Sequence, residues 1–278
     1  MITEVLDILV KLLSLSTLFS LGAGASSQSL KQEFKNRSLW LALCWSGVLF
    51  PVLVWLTGNV FIKDKNLLIG IFLGAASAGG SSAGIFIKKI NGDAIFSGSL
   101  LISQAIVSVI LVPVSLAYMT QKSSEVATVL LPLLFAILIY QLAPFMMGII
   151  LSRWNYRLNF LLKSIDKLNV VVLVILIAGF IAVTFQSLLQ IQDFILIFVF
   201  LLNLVLFFAR PLYRLMGDDS RINTMSVTVG IRNLTTALFI SSVFSLDSKA
   251  QLGIIVYGFF MYVVATLWTI LVSRRRLD

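Results

Sequence analysis

Apolar residues fill this chain in long runs broken by short polar links. A helix needs about 20 mostly apolar residues to cross a bilayer. That criterion predicts nine spans, at 3–24, 39–60, 66–89, 94–119, 126–151, 168–187, 191–213, 223–245 and 250–273. Pro51 and Pro113 fall inside the second and fourth and are expected to kink them. The link at 154–167 mixes Leu158, Phe160, Leu161, Leu162 and Ile165 with charged residues, a pattern for a short amphipathic helix lying on the interface. It divides the chain into two halves.

Two spans carry polar or small residues at mid-membrane. The eighth holds Thr-Val-Gly-Ile-Arg-Asn-Leu-Thr-Thr at 228–236. A guanidinium at bilayer depth costs at least ~2.5 kcal/mol, so Arg232 marks a site facing protein or water unless it only caps free carbonyls. Asn233 adds a donor and an acceptor that also need partners. Gly230 permits the helix to break nearby. The third span holds Ala-Ala-Ser-Ala-Gly-Gly-Ser-Ser-Ala-Gly at 75–84. Small residues alone also serve close helix packing, and Gly70 and Gly74 have that spacing. Two interrupted spans in matching halves of a chain point to a transporter with inverted repeats and a midplane site.

Composition sharpens this picture. Of the 278 residues 59% are hydrophobic and only 12% charged, which makes the chain an integral membrane protein. One cysteine, Cys44, excludes an internal disulfide. The absence of histidine removes the commonest metal ligand and the easiest proton carrier. All twelve acids fall at predicted helix ends or in loops, so neither a proton antiporter nor an enzyme finds its chemistry at mid-membrane. The net charge of +9 sits in loops. Assigned to alternate sides, fifteen basic residues gather after the odd-numbered spans and four after the even-numbered ones. The positive-inside rule then puts the N-terminus outside and the C-terminus in the cytoplasm of a plasma (inner) membrane. The Arg274–Arg276 run becomes an orientation anchor, and nucleic acid is not expected as a partner. Lys11, in the first span, is expected to snorkel to the outer interface. Tyr140, Gln141 and Tyr257 are candidates to line a cavity. Arg210-Pro211 reads as a helix stop.

The runs Ala-Gly-Gly-Ser-Ser-Ala-Gly at 78–84 and Thr-Val-Gly-Ile-Arg-Asn at 228–233 resemble the two crossover motifs of the bile acid:sodium symporter family. Those read Pro-Gly-Gly-Thr-Ala-Ser-Asn and Glu-Val-Gly-Met-Gln-Asn. The Asn91-Gly92-Asp93 turn and the last helix extend the likeness over most of the chain. It implies an all-α membrane protein with two crossed, broken helices and nine spans, where some relatives have one more at the start. A first panel helix at 1–36 and panel helices at 123–190 would support core repeats at 37–122 and 191–278. It implies alternating-access transport of organic anions bearing carboxylate, sulfonate or sulfate, bile-acid-like ones among them.

The family's two bound sodium ions would be the only cofactors, and here the ligands depart from the pattern. The ion-binding glutamate aligns with Thr228, its neighbouring glutamine with Arg232, and a further glutamine near Ser46. The serine and asparagine of the first crossover align with Ala83 and Gly84. On the next helix Ser97 remains, with Leu101 in place of a threonine. Two unit charges ~4 Å apart repel by about 4 kcal/mol at an effective dielectric of 20, so sodium beside Arg232 is disfavoured. Arg232 is expected to replace the ion, to bind the substrate's acidic group with its paired donors, or to do both. Ser81, Ser82, Asn233, Thr235 and Thr236 complete the expected substrate set, and Gly79, Gly80, Gly84 and Gly230 the helix breaks. A sodium symporter with an atypical ion site, an auxin-efflux-carrier-like permease and a non-transporting ligand sensor are the alternatives. The substrate's identity and the oligomeric state are not written in the sequence.

Overall fold

The computed structural model describes residues 2–24, 32–122, 124–152, 158–189, 191–216 and 221–274. Within them every regular element is helical. In chain order the helices are α1 (Ile2–Ala23), α2 (Arg37–Phe61), α3 (Lys65–Ala76), α4 (Ala83–Lys89), α5 (Ala94–Thr120) and α6 (Glu125–Leu151). They continue as α7 (Leu158–Leu188), α8 (Asp193–Phe208), α9 (Arg210–Met216), α10 (Ile222–Gly230), α11 (Leu234–Val243) and α12 (Ser248–Arg274). Among the described residues, five helical segments are long and apolar enough to cross a membrane: α2, α5, α6, α12 and the stretch Asp193–Leu215. The protein is a multi-pass membrane protein.

The prolines leave a legible trace. In α2 a π turn at Trp45–Leu49 precedes Pro51, and the Phe50 N–H bonds the Trp45 carbonyl five residues back. In α6 a π turn at Leu138–Leu142 precedes Pro144, and Ala143 bonds Leu138 in the same way. Proline lacks the N–H for the usual ladder and crowds the carbonyl four residues before it, and the widened turn absorbs both.

One expectation changes. The 154–167 link is not a separate interfacial helix: from Leu158 onward it is the first turns of the 31-residue α7, while 153–157 lies outside the described residues. Asp166 therefore sits inside a helix rather than in a loop. Its carboxylate is held by Lys88 at 2.9 Å and accepts from Ser20 at 2.6 Å, so this one acid ties α7 to α4 and α1 while Lys163 and Lys167 stay exposed. At Arg210-Pro211 the helix stops as expected: α8 ends at Phe208. The chain turns at Ala209 and restarts as α9, where proline in the first turn loses no intrahelical bond.

Close backbone approach at glycine sets the packing. A methyl at Gly70 would collide with the Ala250 carbonyl, and one at Gly74 would press on the Tyr257 ring, so α3 lies directly on α12. Methyls at Gly22 and Gly148 would meet the backbone of Phe145 and Phe19, which seats α1 on α6. Polar ties join helix ends across the molecule. The Asp64 carboxylate at the start of α3 pairs with Lys249 of α12 at 2.7 Å, and Asn66 donates to Asp247 at 2.5 Å. At the start of α10, Arg221 pairs with Asp93, the N-cap of α5, at 3.1 Å and with Glu33 at 2.8 Å. Thr224 accepts the Asp93 backbone N–H at 3.0 Å.

Candidate functional site

The two sequence oddities are two helix breaks, and they meet. Between α3 and α4 the chain is non-helical at 77–82, and between α10 and α11 at 231–233. Ala78 and Arg232 pair as an antiparallel bridge. The Gly80 N–H donates to the Ile231 carbonyl at 3.3 Å and the Asn233 N–H to the Ser77 carbonyl at 2.6 Å. Each break thus satisfies backbone groups that the other leaves open, which is how irregular backbone survives at membrane depth.

Glycine makes the contact possible. Gly79 has φ +86°, a conformation strained for any side chain. A methyl at Gly80 would collide with the Arg232 carbonyl. Gly84 lies inside α4 beside the Thr17 carbonyl of α1, and Gly230 is the last residue of α10 with the Phe207 ring against it. Gly230 thus serves close packing, whereas a methyl at Gly84 would find only ordinary contact distances.

Arg232 is 1% exposed. Its Nη1 donates to the Ser46 carbonyl at 3.0 Å, and the guanidinium lies 5.2 Å from the centre of the Phe50 ring. Its backbone N–H points at the Met261 sulfur at 2.9 Å. Nε and Nη2 make no hydrogen bond of ordinary geometry among the described residues, and the buried Tyr257 hydroxyl lies close enough to interact with the guanidinium. Ser46 is in the π turn of α2. An α-helical carbonyl there would be tied to the N–H four residues on, but the wider turn and Pro51 alter that ladder and leave the Ser46 oxygen to accept from a side chain. The Ser46 hydroxyl accepts from Gln104 of α5 at 2.7 Å. The hydroxyls of Thr228 and Ser97 bond each other at 2.9 Å, and Thr228 also donates to the Thr224 carbonyl at 2.8 Å. All three aligned ion-ligand positions are fully buried. They form two groups: Ser46 with Arg232 and Gln104, and Ser97 with Thr228.

On the other side of the crossing lies a cavity of about 420 Å³. Ser81, Asn233, Thr235 and Thr236 line it, opposite Tyr140, Gln141, Leu133 and Ile137 of α6 and Lys11 and Ser14 of α1. Asn233 caps α11, accepting from the Thr236 N–H at 3.2 Å and the Thr235 hydroxyl at 2.7 Å. Ser82 is set apart, its hydroxyl 3.0 Å from that of Tyr262 in a gap of about 40 Å³ between this cavity and a second one. The second, about 310 Å³, is lined by Thr17, Lys88, Lys89, Asp166 and Lys167. Both cavities and the gap border α1, through Lys11, Leu13 and Thr17 in turn.

Of the expected substrate residues, the structure brings Ser81, Asn233, Thr235 and Thr236 together, leaves Ser82 at their edge, and turns the Arg232 side chain away towards α2. Tyr140 and Gln141 line the cavity, whereas Tyr257 is fully buried. Sequence reasoning missed Gln104, although a glutamine inside the apolar run 94–120 is a signal of the same kind as Arg232. Lys11, expected at the interface, is exposed and also borders the cavity. The Lys11–Ser14 spacing, one helical turn, was the available hint that both face one way.

Comparison with known proteins agrees with the fold. Residues 12–193 match the Sodium Bile acid symporter family, a stretch that includes the first break and ends before the second. No curated protein matches the chain significantly. With the match covering well over half its length, the chain belongs to the sodium bile acid symporter family of membrane transporters.

Proposed function

We propose that this protein carries organic anions across the membrane by alternating access, and that Arg232 stands where its relatives hold an ion. The observation that carries this reading is the Arg232 guanidinium, 1% exposed and bonded to the Ser46 carbonyl at 3.0 Å. Ser46 aligns near one family ion ligand and Arg232 with another. A fixed cation on a backbone carbonyl does there what sodium would do, without release. It also lies just beyond the C-terminus of α10, whose carbonyl end favours positive charge. Thr228 and Ser97, the other counterparts, bond each other and need no ion.

Nine spans in two inverted triplets fit the crossing. The triplets are α2, α3–α4 and α5, and then α8–α9, α10–α11 and α12, with α1, α6 and α7 as the panel. Two observations support the repeat. The breaks pair antiparallel. The helix-end ties exchange partners symmetrically: α3 of the first triplet joins α12 of the second through Asp64–Lys249, and α10 of the second joins α5 of the first through Arg221–Asp93. With the N-terminus outside a plasma membrane, the 420 Å³ cavity is the outer pocket and the 310 Å³ cavity the inner one. A core that rocks against the panel exposes the crossing to each in turn.

Purified protein in liposomes tests this. Uptake of cholate, 4-phenylbutyrate or hexanesulfonate should saturate with concentration. Arg232→Ala should abolish it while the protein still elutes as a folded species. Wild-type liposomes that take up none of the three, or an Arg232→Ala protein that transports normally, would overturn the proposal.

A further inference from the structure

The transporter reading leaves one question at the 420 Å³ cavity: what attracts an anion, when Arg232 points elsewhere? We propose that Lys11 is the anion-recognition residue, and that the cavity takes an amphipathic molecule with one acidic head and an apolar body. This rests on the transport reading and adds a residue to it.

Lys11 lies in α1 three residues before Ser14, and both line the cavity. The Ser14 hydroxyl donates to the Tyr140 carbonyl of α6 at 3.1 Å, which fixes the face of α1 that looks inward. A lysine serving only as an interfacial anchor lays its stem along lipid. This one, though exposed, borders a half-open volume whose lining includes Ser81, Asn233 and Thr235 of the helix crossing. At about 420 Å³ that volume falls within the ~300–1,000 Å³ of small-molecule sites. Its walls differ in character. Asn233 and Thr235 offer oxygen and nitrogen atoms beside the crossing, while Leu133 and Phe239 give an apolar surface. Arg232 contributes no guanidinium atom to this set: its one hydrogen bond from the head is to Ser46 on α2. Lys11 therefore supplies the cavity's positive charge among its lining residues. Division of labour follows. The buried arginine holds the crossing together in every state, and the lysine on α1 meets the substrate's acid only while the outer pocket is open.

The test uses Lys11→Gln, Lys11→Arg and Lys11→Cys in full-length protein in liposomes, the last in a Cys44→Ser background that removes the chain's one cysteine. Probes are cholate, 4-phenylbutyrate and hexanesulfonate, with 4-phenylbutyramide as neutral partner. A lost charged hydrogen bond predicts that Lys11→Gln raises KM for every transported anion about tenfold, and that Lys11→Arg restores most of it. The amide, if carried or inhibitory, should be unaffected by either change. Lys11→Cys should regain anion uptake when modified with a cationic methanethiosulfonate and not with an anionic one, a rescue that a misfolded protein would not show. Unchanged KM in Lys11→Gln with normal wild-type uptake, or equal rescue by both reagents, overturns the role of Lys11 and leaves the transporter reading standing. Wild-type protein that carries no anion overturns both.

Discussion

The two breaks do the same job with different chemistry. The first, at 77–82, is made of backbone. Gly79 takes a left-handed turn, Gly80 lets the other chain approach, and no charged side chain is present. The second, at 231–233, has no glycine in it and no left-handed residue. Besides the backbone bonds it shares with the first, it uses side chains: Asn233 caps the helix that follows, and Arg232 bonds the Ser46 carbonyl across the bundle. One break is therefore sensitive to volume and the other to charge. On the proposed reading, a crossing held by a permanent cation has no empty state in which the ion has left, and that would separate this protein from a sodium-coupled relative.

The comparison can be broken in stages, from the largest effect downwards. Arg232→Ala removes the cation and should lower uptake by about 100-fold, as misplacing a reacting or binding group does. Arg232→Lys keeps the charge but loses the planar fork and its contact with Phe50, so liposome uptake should remain well below wild type. At the first break, Gly80→Val should destabilise the fold by about 1–3 kcal/mol, because the obstructing atom is the Arg232 backbone and cannot swing aside. Denaturation in detergent measures it; an unchanged Tm would show that the crossing is looser than described. Thr228→Val deletes the 2.9 Å bond to Ser97 and should cost about 0.5–1.5 kcal/mol without altering the ion dependence of uptake.

The smallest effect lies far from the crossing. The Lys249 ammonium bonded to Asp64 holds its carboxyl below the usual 3.8. A carboxylate with a lowered folded pKa stabilises the protein above its unfolded value and loses that contribution as pH falls through the folded one. Lys249→Gln should thus lower Tm slightly at pH 7, and the difference from wild type should vanish below about pH 3.

The helical pattern and both breaks were readable because membrane spans must be long and apolar, so a glycine pair or an arginine inside one stands out. Two things were not. Whether Arg232 faces substrate or scaffold depends on the direction of one side chain, which the π turn in α2 decides by placing the Ser46 carbonyl within reach. The continuity of α7 across 158–167 was hidden because its charges read as a break, whereas Asp166 is tied to Lys88 and Ser20 and Lys163 and Lys167 stay exposed along the same helix. That Lys11, an exposed residue, also borders the cavity follows from the packing of α1 on α6, which a linear sequence does not display.

The central claim, that a guanidinium has taken the place of an ion, is tested most directly by uptake of a transported anion into liposomes with sodium, and then with choline, as the sole monovalent cation. The account predicts equal initial rates in the two. Strict dependence on sodium would contradict it, and would mean that Thr228, Ser97 and nearby carbonyls still assemble an ion site despite Arg232.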